Sequence, residues 1–245
     1  MPIFRPHTTP RAVSHVAVVG RGRLGSVLAP ALGRAGLTVH GPTGRSERID
    51  DVDVVILCVP DREIRDAAAA ASPHAAFVGH TSGATGLGEV DFGLHPLQTF
   101  AGDDDPSVFE GIGGAIAGRT PEALAVAREL AVAVGMRPFE LADADRARYH
   151  AASAFASNFL VTLEGIAESM LRDVAPDARS LLAPLVRRTV ENWAAQGAAS
   201  ALTGPVARGD EVTVARQRAA LEPDLVPLFD ELVAHTRALA AERSR

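Results

Sequence analysis

Residues 16–25 read VAVVGRGRLG, a β-branched apolar run followed at once by three glycines in the pattern G-x-G-x-x-G. Gly20 permits a tight turn at the end of a strand, Gly22 lets a phosphate approach the backbone, and Gly25 lets the next helix pack closely. The amphipathic stretch at 24–34 supplies that helix. The pattern predicts a dinucleotide-binding turn, and a glycine turn that holds no ligand is the alternative.

Other residues are expected to face the same ligand. The amides of Arg23 and Leu24 lie at the start of the helix, where they can bind an anion. Val59 and Pro60 follow the third apolar run, and Ser82 follows the fourth. Because ligands of open α/β sheets bind beyond the carboxyl ends of the strands, these residues are predicted to contact the cofactor, with Ser82 near its reactive end.

The end of the second predicted strand indicates which dinucleotide is bound. NAD sites usually place an acidic residue there, about 20 residues after the first glycine. Here that position is His40, and Thr43, Arg45 and Ser46 follow it. A guanidinium with two hydroxyls suits a 2'-phosphate, so the sequence predicts NADP(H) rather than NAD(H). The alternative is that Arg45 is an ordinary surface residue in a turn.

Short apolar runs alternate with helical stretches in the first part of the chain, and no convincing strand follows residue 143. The predicted strands lie at 16–19, 37–40, 54–59, 76–78, 114–117 and 137–141. All are short and apolar, as strands covered on both faces are. The pattern predicts an α/β fold, with an N-terminal Rossmann domain built on a doubly wound parallel sheet and an all-helical C-terminal domain.

Three segments are expected along the chain. Residues 1–13 form a disordered lead-in, residues 14–142 an NADP-binding Rossmann domain, and residues 143–245 a helical domain for substrate binding and dimerisation. Helix punctuation supports this division, because Thr120 is a typical N-cap and Gly135 a typical helix end. These two residues predict a helix just before the last strand.

The stretch between residues 81 and 112 is rich in glycine, proline and aspartate, and is predicted to be a functional loop. Within it, Asp103, Asp104 and Asp105 are read as a solvated acidic turn, since neighbours in sequence point in different directions and no histidine stands at ligand spacing. No metal is predicted. Asp61 is the expected N-cap of the helix after the third strand.

The composition excludes several classes of function. The chain has 245 residues, 47% apolar and 22% charged, with a net charge of -6. No lysine occurs among its 24 basic residues, so a lysine Schiff base or lysine acid is excluded. Without clustered positive charge, neither nucleic acid nor a membrane is an expected partner. The lone Cys58 and an N-terminus without a secretory apolar core predict a cytoplasmic protein.

Three strings add to the glycine turn: SGA at 82–84 with HPLQTF at 95–100, YHAASAFASN at 149–158, and LTGPVARGD at 202–210. Together they resemble the Rossmann-like proteins that end in a domain of unknown function 2520, over nearly the whole chain. That family is related in fold to pyrroline-5-carboxylate reductase and 6-phosphogluconate dehydrogenase, and some relatives are an alternative ketopantoate reductase. The resemblance implies an NADP-dependent oxidoreductase with a C-terminal domain like that of 6-phosphogluconate dehydrogenase.

Hydride transfer to a carbonyl or imine leaves negative charge on the acceptor, which an acid or hydrogen-bond donor must meet. Because lysine is absent, histidine is the first choice. His150 and Asn158 are predicted to orient or protonate the acceptor, assisted by His95, whose His-Pro pair is similar to one near the substrate in prephenate dehydrogenases. Tyr149 is either a proton donor or a packing aromatic, and His80 either belongs to the site or closes the fourth strand.

Four residues are predicted to contact substrate. Ser153 and Ser157 lie on one helical face, and Gln98 lies in the functional loop. The alternative for the serines is that they hydrogen-bond back to their own helix. Arg208 is predicted to bind a substrate carboxylate, or else its turn is only a helix break in which Asp210 caps the next helix.

Together these residues predict a two-domain reductase that delivers hydride from NADPH to a small 2-oxo acid, ketopantoate first, or to a cyclic imine. A catalytically silent NADP-binding sensor or scaffold, and a deazaflavin-linked NADP oxidoreductase, are the alternatives. Amphipathic helices such as 225–239 would leave apolar faces bare in one copy, so a homodimer through the helical domain is expected. Trp193 is expected in the core.

Overall fold

Seven strands form one sheet in the computed structural model, which describes residues 12–44 and 47–242. The strands are β1 (His15–Val19), β2 (Thr38–Thr43), β3 (Val52–Leu57), β4 (Ala75–His80), β5 (Phe92–Pro96), β6 (Gly113–Gly118) and β7 (Arg137–Glu140). Their order across the sheet is β2-β1-β3-β4-β5-β6-β7. Neighbours are parallel except β5 and β6, which pair antiparallel. The α/β Rossmann expectation is confirmed, but β6 and β7 run opposite to the first five strands.

Strand β5 was not predicted, because it falls in the stretch interpreted as a loop. It reads FGLHP, and its glycine and proline interrupt the β-branched pattern that marks a strand. Burial of Phe92 and Leu94 nevertheless fixes it in the sheet. Gly79 on β4 makes room for it, since a Cβ there would collide with the Phe92 ring. His95 therefore projects from a strand and not from a loop.

Ten α-helices occur within the described residues. They are α1 (Arg23–Arg34), α2 (Ile64–Ala71), α3 (Pro121–Ala133), α4 (Arg146–Ala154), α5 (Leu160–Arg172), α6 (Ala178–Gln196), α7 (Ala198–Ala201), α8 (Pro205–Arg208), α9 (Glu211–Ala219) and α10 (Val226–Glu242). The predicted caps of α3 are confirmed, because Thr120 Oγ1 accepts from the Ala123 N–H at 3.2 Å and Gly135 has a φ of +84°. Among described residues no strand follows β7, as expected.

Side chains of β1 alternate between two apolar layers. Val16 and Val18 are buried in the layer that contains α1 and α3, whereas Ala17 and Val19 are buried in the layer that contains α2. Strands covered on both faces must be apolar throughout, which explains why the run at 16–19 contains no polar residue. The glycine turn is therefore held at the end of a rigid central strand.

The chain divides into two compact units, Met1–Val161 and Thr162–Arg245. The functional boundary expected after residue 142 stays a prediction; α4 belongs to the first unit, and its Tyr149 hydrogen-bonds to His95 on β5. Most of the expected lead-in, residues 1–11, lies outside the described residues. Val13, also assigned to the lead-in, is buried, and its N–H donates to Glu129 Oε1 at 3.1 Å.

The expectation that Trp193 belongs to the core is wrong. Its side chain on α6 is 57% exposed, and Leu181 and Leu185 on the same helix are also exposed. The described part of the second unit contains only three buried residues, Ala178, Val214 and Val233. The helices of this unit therefore bury few side chains against one another. No helix in residues 12–44 or 47–242 has the length and hydropathy to cross a bilayer.

Candidate active site

The candidate site lies at the edge of the sheet where four parallel strands end. β1 ends at Val19, β3 at Leu57, β4 at His80 and β5 at Pro96. Ligands of open α/β sheets bind at this carboxyl edge. Two cavities open among the residues that follow these strands, both within the first unit.

The three glycines of the turn have different surroundings. A Cβ on Gly20, whose φ is +117°, would collide with the carbonyl oxygen of Cys58, and a Cβ on Gly25 would collide with the carbonyl oxygen of Gly20. By contrast, a Cβ on Gly22 would meet no atom of the described residues within 4 Å. The fold itself requires two of the glycines. The third leaves open space beside the N-terminus of α1, which fits the phosphates of a dinucleotide.

The first cavity, of about 450 Å³, begins at this turn. Four predicted cofactor residues line it: Gly20, Gly22, Val59 and Pro60. Five others are not in its lining: Arg23, Leu24, Gly25, Thr43 and Ser82. Arg45 and Ser46, predicted to hold a 2'-phosphate, lie outside the described residues. Cys58 also lines the cavity, and burial raises the pKa of its thiol to about 12, so the thiol is neutral at physiological pH.

An ion pair that the sequence did not predict belongs to the first cavity. Arg21 Nη2 donates to Glu47 Oε2 at 2.7 Å, and Arg21 Nε donates to the carbonyl oxygen of Pro42 at 3.1 Å. Glu63 and Asp66 line the cavity as well. The described residues that line this cavity thus include three carboxylates, and Arg21 is the only arginine among them. The sequence does not predict this ion pair, because Arg21 and Glu47 are far apart in the chain and only the tertiary structure brings their side chains together.

The loop that follows β4 contacts residues beside both cavities. Asp61 Oδ2 accepts from Ser82 Oγ at 2.9 Å and from Thr85 Oγ1 at 2.8 Å. The expectation that Asp61 caps a helix is wrong, since its carboxylate holds this loop instead. On the opposite side, a Cβ on Gly83 would lie 2.9 Å from Nε2 of His95. The loop therefore contacts a neighbour of the first cavity and a wall of the second.

His80 has a structural role beneath this loop. The ring is fully buried, Nε2 donates to the carbonyl oxygen of Gly86 at 3.1 Å, and Nδ1 accepts from the Ser82 N–H at 3.2 Å. Burial lowers the pKa of the ring, which keeps it neutral. Of the two interpretations that the sequence left open, closing the fourth strand is the one that these contacts support.

The second cavity, of about 1020 Å³, brings together the predicted catalytic and substrate residues of the first unit. They are His95, Gln98, His150, Ser153, Ser157 and Asn158. Thr99 and Tyr149 line it too, and no arginine or carboxylate does so among the described residues. The lining is therefore a set of hydrogen-bonding groups interleaved with alanine and leucine, which suits a small polar acceptor.

His95 and Tyr149 form a short polar contact in the wall of this cavity. Nδ1 of His95 is 2.6 Å from the phenol oxygen, and the rings meet edge to face with centroids 5.5 Å apart. The pKa of His95 is lowered to about 4, chiefly by burial and also by the neighbouring charges of His150 and Arg146. Burial raises the pKa of Tyr149 to about 12. At neutral pH the phenol therefore donates to Nδ1, and the ring proton lies on Nε2.

Arg146 is a buried cation behind this pair, and no sequence signal marked it. Its Nε donates to Asp143 Oδ1 at 2.7 Å, while Nη2 has no hydrogen-bond partner among the described residues. Gly93 on β5 gives it room, since a Cβ there would lie 3.5 Å from Nη2. The guanidinium helps to keep the pKa of His95 low. The positive charge of Arg146 thus favours the neutral form of the His95 ring.

A π-helical turn, Phe155–Phe159, joins α4 to α5 and forms part of the cavity wall. Such turns are frequent at functional sites. Ser157 Oγ donates to the carbonyl oxygen of Ser153 at 2.7 Å, and Ser153 Oγ donates to that of Tyr149 at 3.1 Å. Both serines thus bond back to their helix, which was the alternative interpretation. Because each hydroxyl donates its proton within the helix, its oxygen is left to act as an acceptor.

Arg208, predicted to bind substrate, ends the short helix α8 in the second unit and is exposed. Asp210 Oδ1 accepts from the Thr213 N–H at 3.0 Å, so the predicted cap of α9 is confirmed. The contribution of Arg208 to a substrate site stays a prediction.

Comparisons with known proteins agree with this architecture. The domain of unknown function DUF2520 matches residues 113–236, and no curated protein matches the sequence. A Thermotoga maritima protein of known structure is 24% identical, with a TM-score of 0.78 over 94% of this chain and 100% of that one. A candidate NADP oxidoreductase from Bacteroides fragilis is 20% identical, with a TM-score of 0.77 over 93% and 99%. Pyrroline carboxylate reductase from Plasmodium falciparum, solved with NADP bound, is 10% identical, with a TM-score of 0.58 over 93% and 98%. These likenesses establish a shared fold.

Proposed function

The chain belongs to the family of the domain of unknown function DUF2520, and within that family we propose that it is an NADP-dependent oxidoreductase that transfers a hydride to a small carbonyl or imine compound. The main support for this proposal comes from the contacts of the loop after β4. Ser82 bonds to Asp61 beside the first cavity, and Gly83 packs against His95 in the second. One loop thus contacts a residue next to the proposed dinucleotide cavity and a histidine of the polar cavity, which supports a cofactor and an acceptor bound on the two sides of this loop.

NADP is the proposed cofactor. The backbone at Gly20, Gly22, Arg23 and Leu24 would hold the pyrophosphate. Thr43, Arg45 and Ser46 would hold the 2'-phosphate, since His40 stands where NAD sites carry an acid. Val59, Pro60 and Ser82 would contact the rest of the molecule. Two solved structures of the same fold support this assignment, one described as an NADP oxidoreductase and one with NADP bound.

The chain's own residues would meet the charge that develops on the acceptor. When bound, the nicotinamide supplies the hydride. Nε2–H of His95 donates a hydrogen bond on the side of Gly83, and Tyr149 fixes that tautomer through Nδ1. Because the pKa of His95 is about 4, this ring stabilises charge without releasing a proton at neutral pH. His150, which is exposed, delivers the proton, and Asn158 orients the acceptor.

For the substrate we propose a small 2-oxo acid, ketopantoate first, or a cyclic imine. The Gln98 amide can donate to an oxo or imino group, and the oxygens of Ser153 and Ser157 can accept from a hydroxyl group. A carboxylate finds no arginine among the described residues that line the cavity. Arg208 is proposed to bind that carboxylate from the second subunit of a dimer.

A homodimer through the helical domain is part of the proposal. The second unit buries only three described residues, yet Leu181, Leu185 and Trp193 are 59%, 64% and 57% exposed. Exposed large apolar side chains on one helix favour an interface, and a second copy is the partner available to every molecule of the protein. A cytoplasmic location is also proposed, since the only cysteine, Cys58, forms no disulfide.

A calorimetric titration of the purified protein with NADPH and NADH tests the cofactor. We expect NADPH to bind more tightly, and Gly22→Ala to abolish binding while leaving the melting temperature unchanged, because the added Cβ fills the phosphate space and touches nothing else. Arg45→Ala should weaken NADPH binding selectively. Oxidation of NADPH with ketopantoate or pyrroline-5-carboxylate then tests the reaction. A protein that binds neither nucleotide is not an oxidoreductase of this class.

A silent NADP-binding sensor is the second candidate. It is favoured by the absence of lysine and by pKa values of about 4 for His95 and about 12 for Tyr149, since neither group exchanges protons readily near neutrality. Tight NADPH binding without turnover across a panel of 2-oxo acids and imines would support this function over the first.

A further inference from the structure

Arg21 extends from the glycine turn to the end of the neighbouring strand β2. It stands between Gly20 and Gly22, and its Nε donates to the carbonyl oxygen of Pro42 at 3.1 Å. Its Nη2 approaches both carboxylate oxygens of Glu47, at 2.6 and 2.7 Å. Residues at the end of the second strand are those that meet the adenosine ribose of a dinucleotide. The guanidinium is therefore already at the ribose end of the first cavity.

The charges around this guanidinium make it important for a phosphate ligand. Glu47, Glu63 and Asp66 line the cavity, and Arg21 is the only arginine among its described lining residues. A 2'-phosphate would be repelled by the carboxylates unless a cation paired with it. The Arg21–Glu47 pair is open to solvent, with 61% and 44% of the two side chains exposed. Exposed pairs of this kind are weak, so a phosphate, which forms stronger charge-assisted bonds, can replace the carboxylate.

We infer that Arg21 is a specificity-determining residue for the 2'-phosphate of NADP, and that Glu47 holds the guanidinium in place until the phosphate displaces it. This inference rests on the proposed function. Glu47 then acts against tight phosphate binding, since its carboxylate must give up its partner and remain near the new anion. The two side chains therefore affect affinity for NADPH in opposite directions and leave NADH nearly unaffected.

Two pairs of probes that differ only in the 2'-phosphate test the inference: NADPH with NADH, and adenosine 2',5'-bisphosphate with adenosine 5'-monophosphate. Dissociation constants are measured by calorimetry for the wild type, Arg21→Ala, Glu47→Gln and the double variant. Arg21→Ala should weaken binding of the two phosphorylated probes by about tenfold or more. Glu47→Gln should tighten it by about threefold or more in the wild-type background and by clearly less once Arg21 is absent, because only the repulsion between carboxylate and phosphate is then relieved.

Arg48→Ala is the matched control, because Arg48 follows Glu47 in the chain and its side chain is 88% exposed. It should leave all four constants unchanged, and melting curves should show every variant folded. Equal loss of NADPH and NADH binding in Arg21→Ala would overturn the inference, since Arg21 would then serve the turn or the pyrophosphate. So would weaker NADH binding in Glu47→Gln, which would assign Glu47 to the ribose hydroxyls. A wild type that binds neither nucleotide removes the proposed function itself.

Discussion

Nδ1 of His95 lies 2.6 Å from the phenol oxygen of Tyr149, although 54 positions separate the two residues in the chain. Strand β5 carries the histidine and helix α4 carries the tyrosine. Because the pKa values of both groups lie far from neutrality, the phenol keeps its proton and the imidazole accepts the hydrogen bond. This contact fixes the ring proton of His95 on Nε2.

Tyr149→Phe should lower kcat/KM about tenfold to a hundredfold and leave the dissociation constant for NADPH unchanged. The ring of His95 loses the donor that fixes its tautomer, so its Nε2–H is present in only part of the molecules. A hydrogen bond to the neutral ring also holds its pKa down, so NMR titration of the variant should show a higher pKa for His95.

Phe139→Leu is the control for that substitution, because Phe139 also packs edge to face against Tyr149, with centroids 5.9 Å apart. It removes aromatic packing and keeps the hydrogen bond. We expect its effect on kcat/KM to be much smaller. A Tyr149→Phe variant with full activity and an unchanged pKa of His95 would assign the tyrosine to packing alone.

Gly83→Ala should displace the ring of His95. The added Cβ would lie 2.9 Å from Nε2 and 3.0 Å from Cδ2 and Cε1, so either the loop or the ring must move. Since small misplacements of a catalytic group cost up to about a hundredfold in rate, we expect kcat/KM to fall by tenfold or more. Gly33→Ala on the exposed side of α1 is the control, because a Cβ there meets no described atom within 4 Å. It should raise the free energy of unfolding by about 0.5–1 kcal/mol and leave activity unchanged.

Acidification should destabilise the protein partly through His95. Its pKa falls from 6.5 to about 4 on folding, chiefly because the ring is buried. Between these pH values the unfolded chain binds a proton on this ring and the folded chain does not, so lowering the pH favours unfolding. This destabilisation is absent well above pH 6.5, grows as the pH falls, and reaches at most about 3.4 kcal/mol below pH 4. Urea denaturation at pH 7.5, 6 and 5 measures it.

The variant His95→Gln has no titrating ring at this position. Its free energy of unfolding should therefore fall less than that of the wild type over the same pH range. Carboxylates contribute equally to both proteins, so the difference between the two pH profiles isolates the ring. His235→Asn, at an exposed position on α10, is the control and should follow the wild type. Parallel profiles for wild type and His95→Gln would show that the ring is not desolvated in solution.

The fold was predictable where local pattern and burial agree. The run at 16–19 and the glycines after it specify β1, the turn and α1, because both faces of the strand are covered and two of the glycines have backbone against them. Strand β5 was missed because its side chains are held by contacts with β4 and β6 that no local pattern encodes. The antiparallel direction of β6 was missed for the same reason, because it depends on pairing with β5 that no local pattern encodes.

The site was predictable to the level of its residue types. His95, His150 and Asn158 do line one cavity, although the sequence placed His95 in a loop. Arg146 and Glu47 had no signal, since burial of an arginine and pairing across a turn depend on tertiary structure. The position of Asn158 depends on the π-helical turn, and the sequence of that segment is equally consistent with a regular helix.

Leu185→Glu should convert the proposed dimer into a monomer. Leu181 and Leu185 lie one turn apart on the same face of α6 and are 59% and 64% exposed, so a carboxylate there would be buried without a partner in a dimer. Small-angle scattering should give twice the chain mass of 25.5 kDa for the wild type and a single chain for the variant. Arg187→Glu changes charge by two units on the opposite side of the helix and should leave the mass unchanged. If the wild type scatters as one chain at the concentrations used for assay, the exposed face of α6 does not associate and Arg208 cannot reach a substrate from a second subunit.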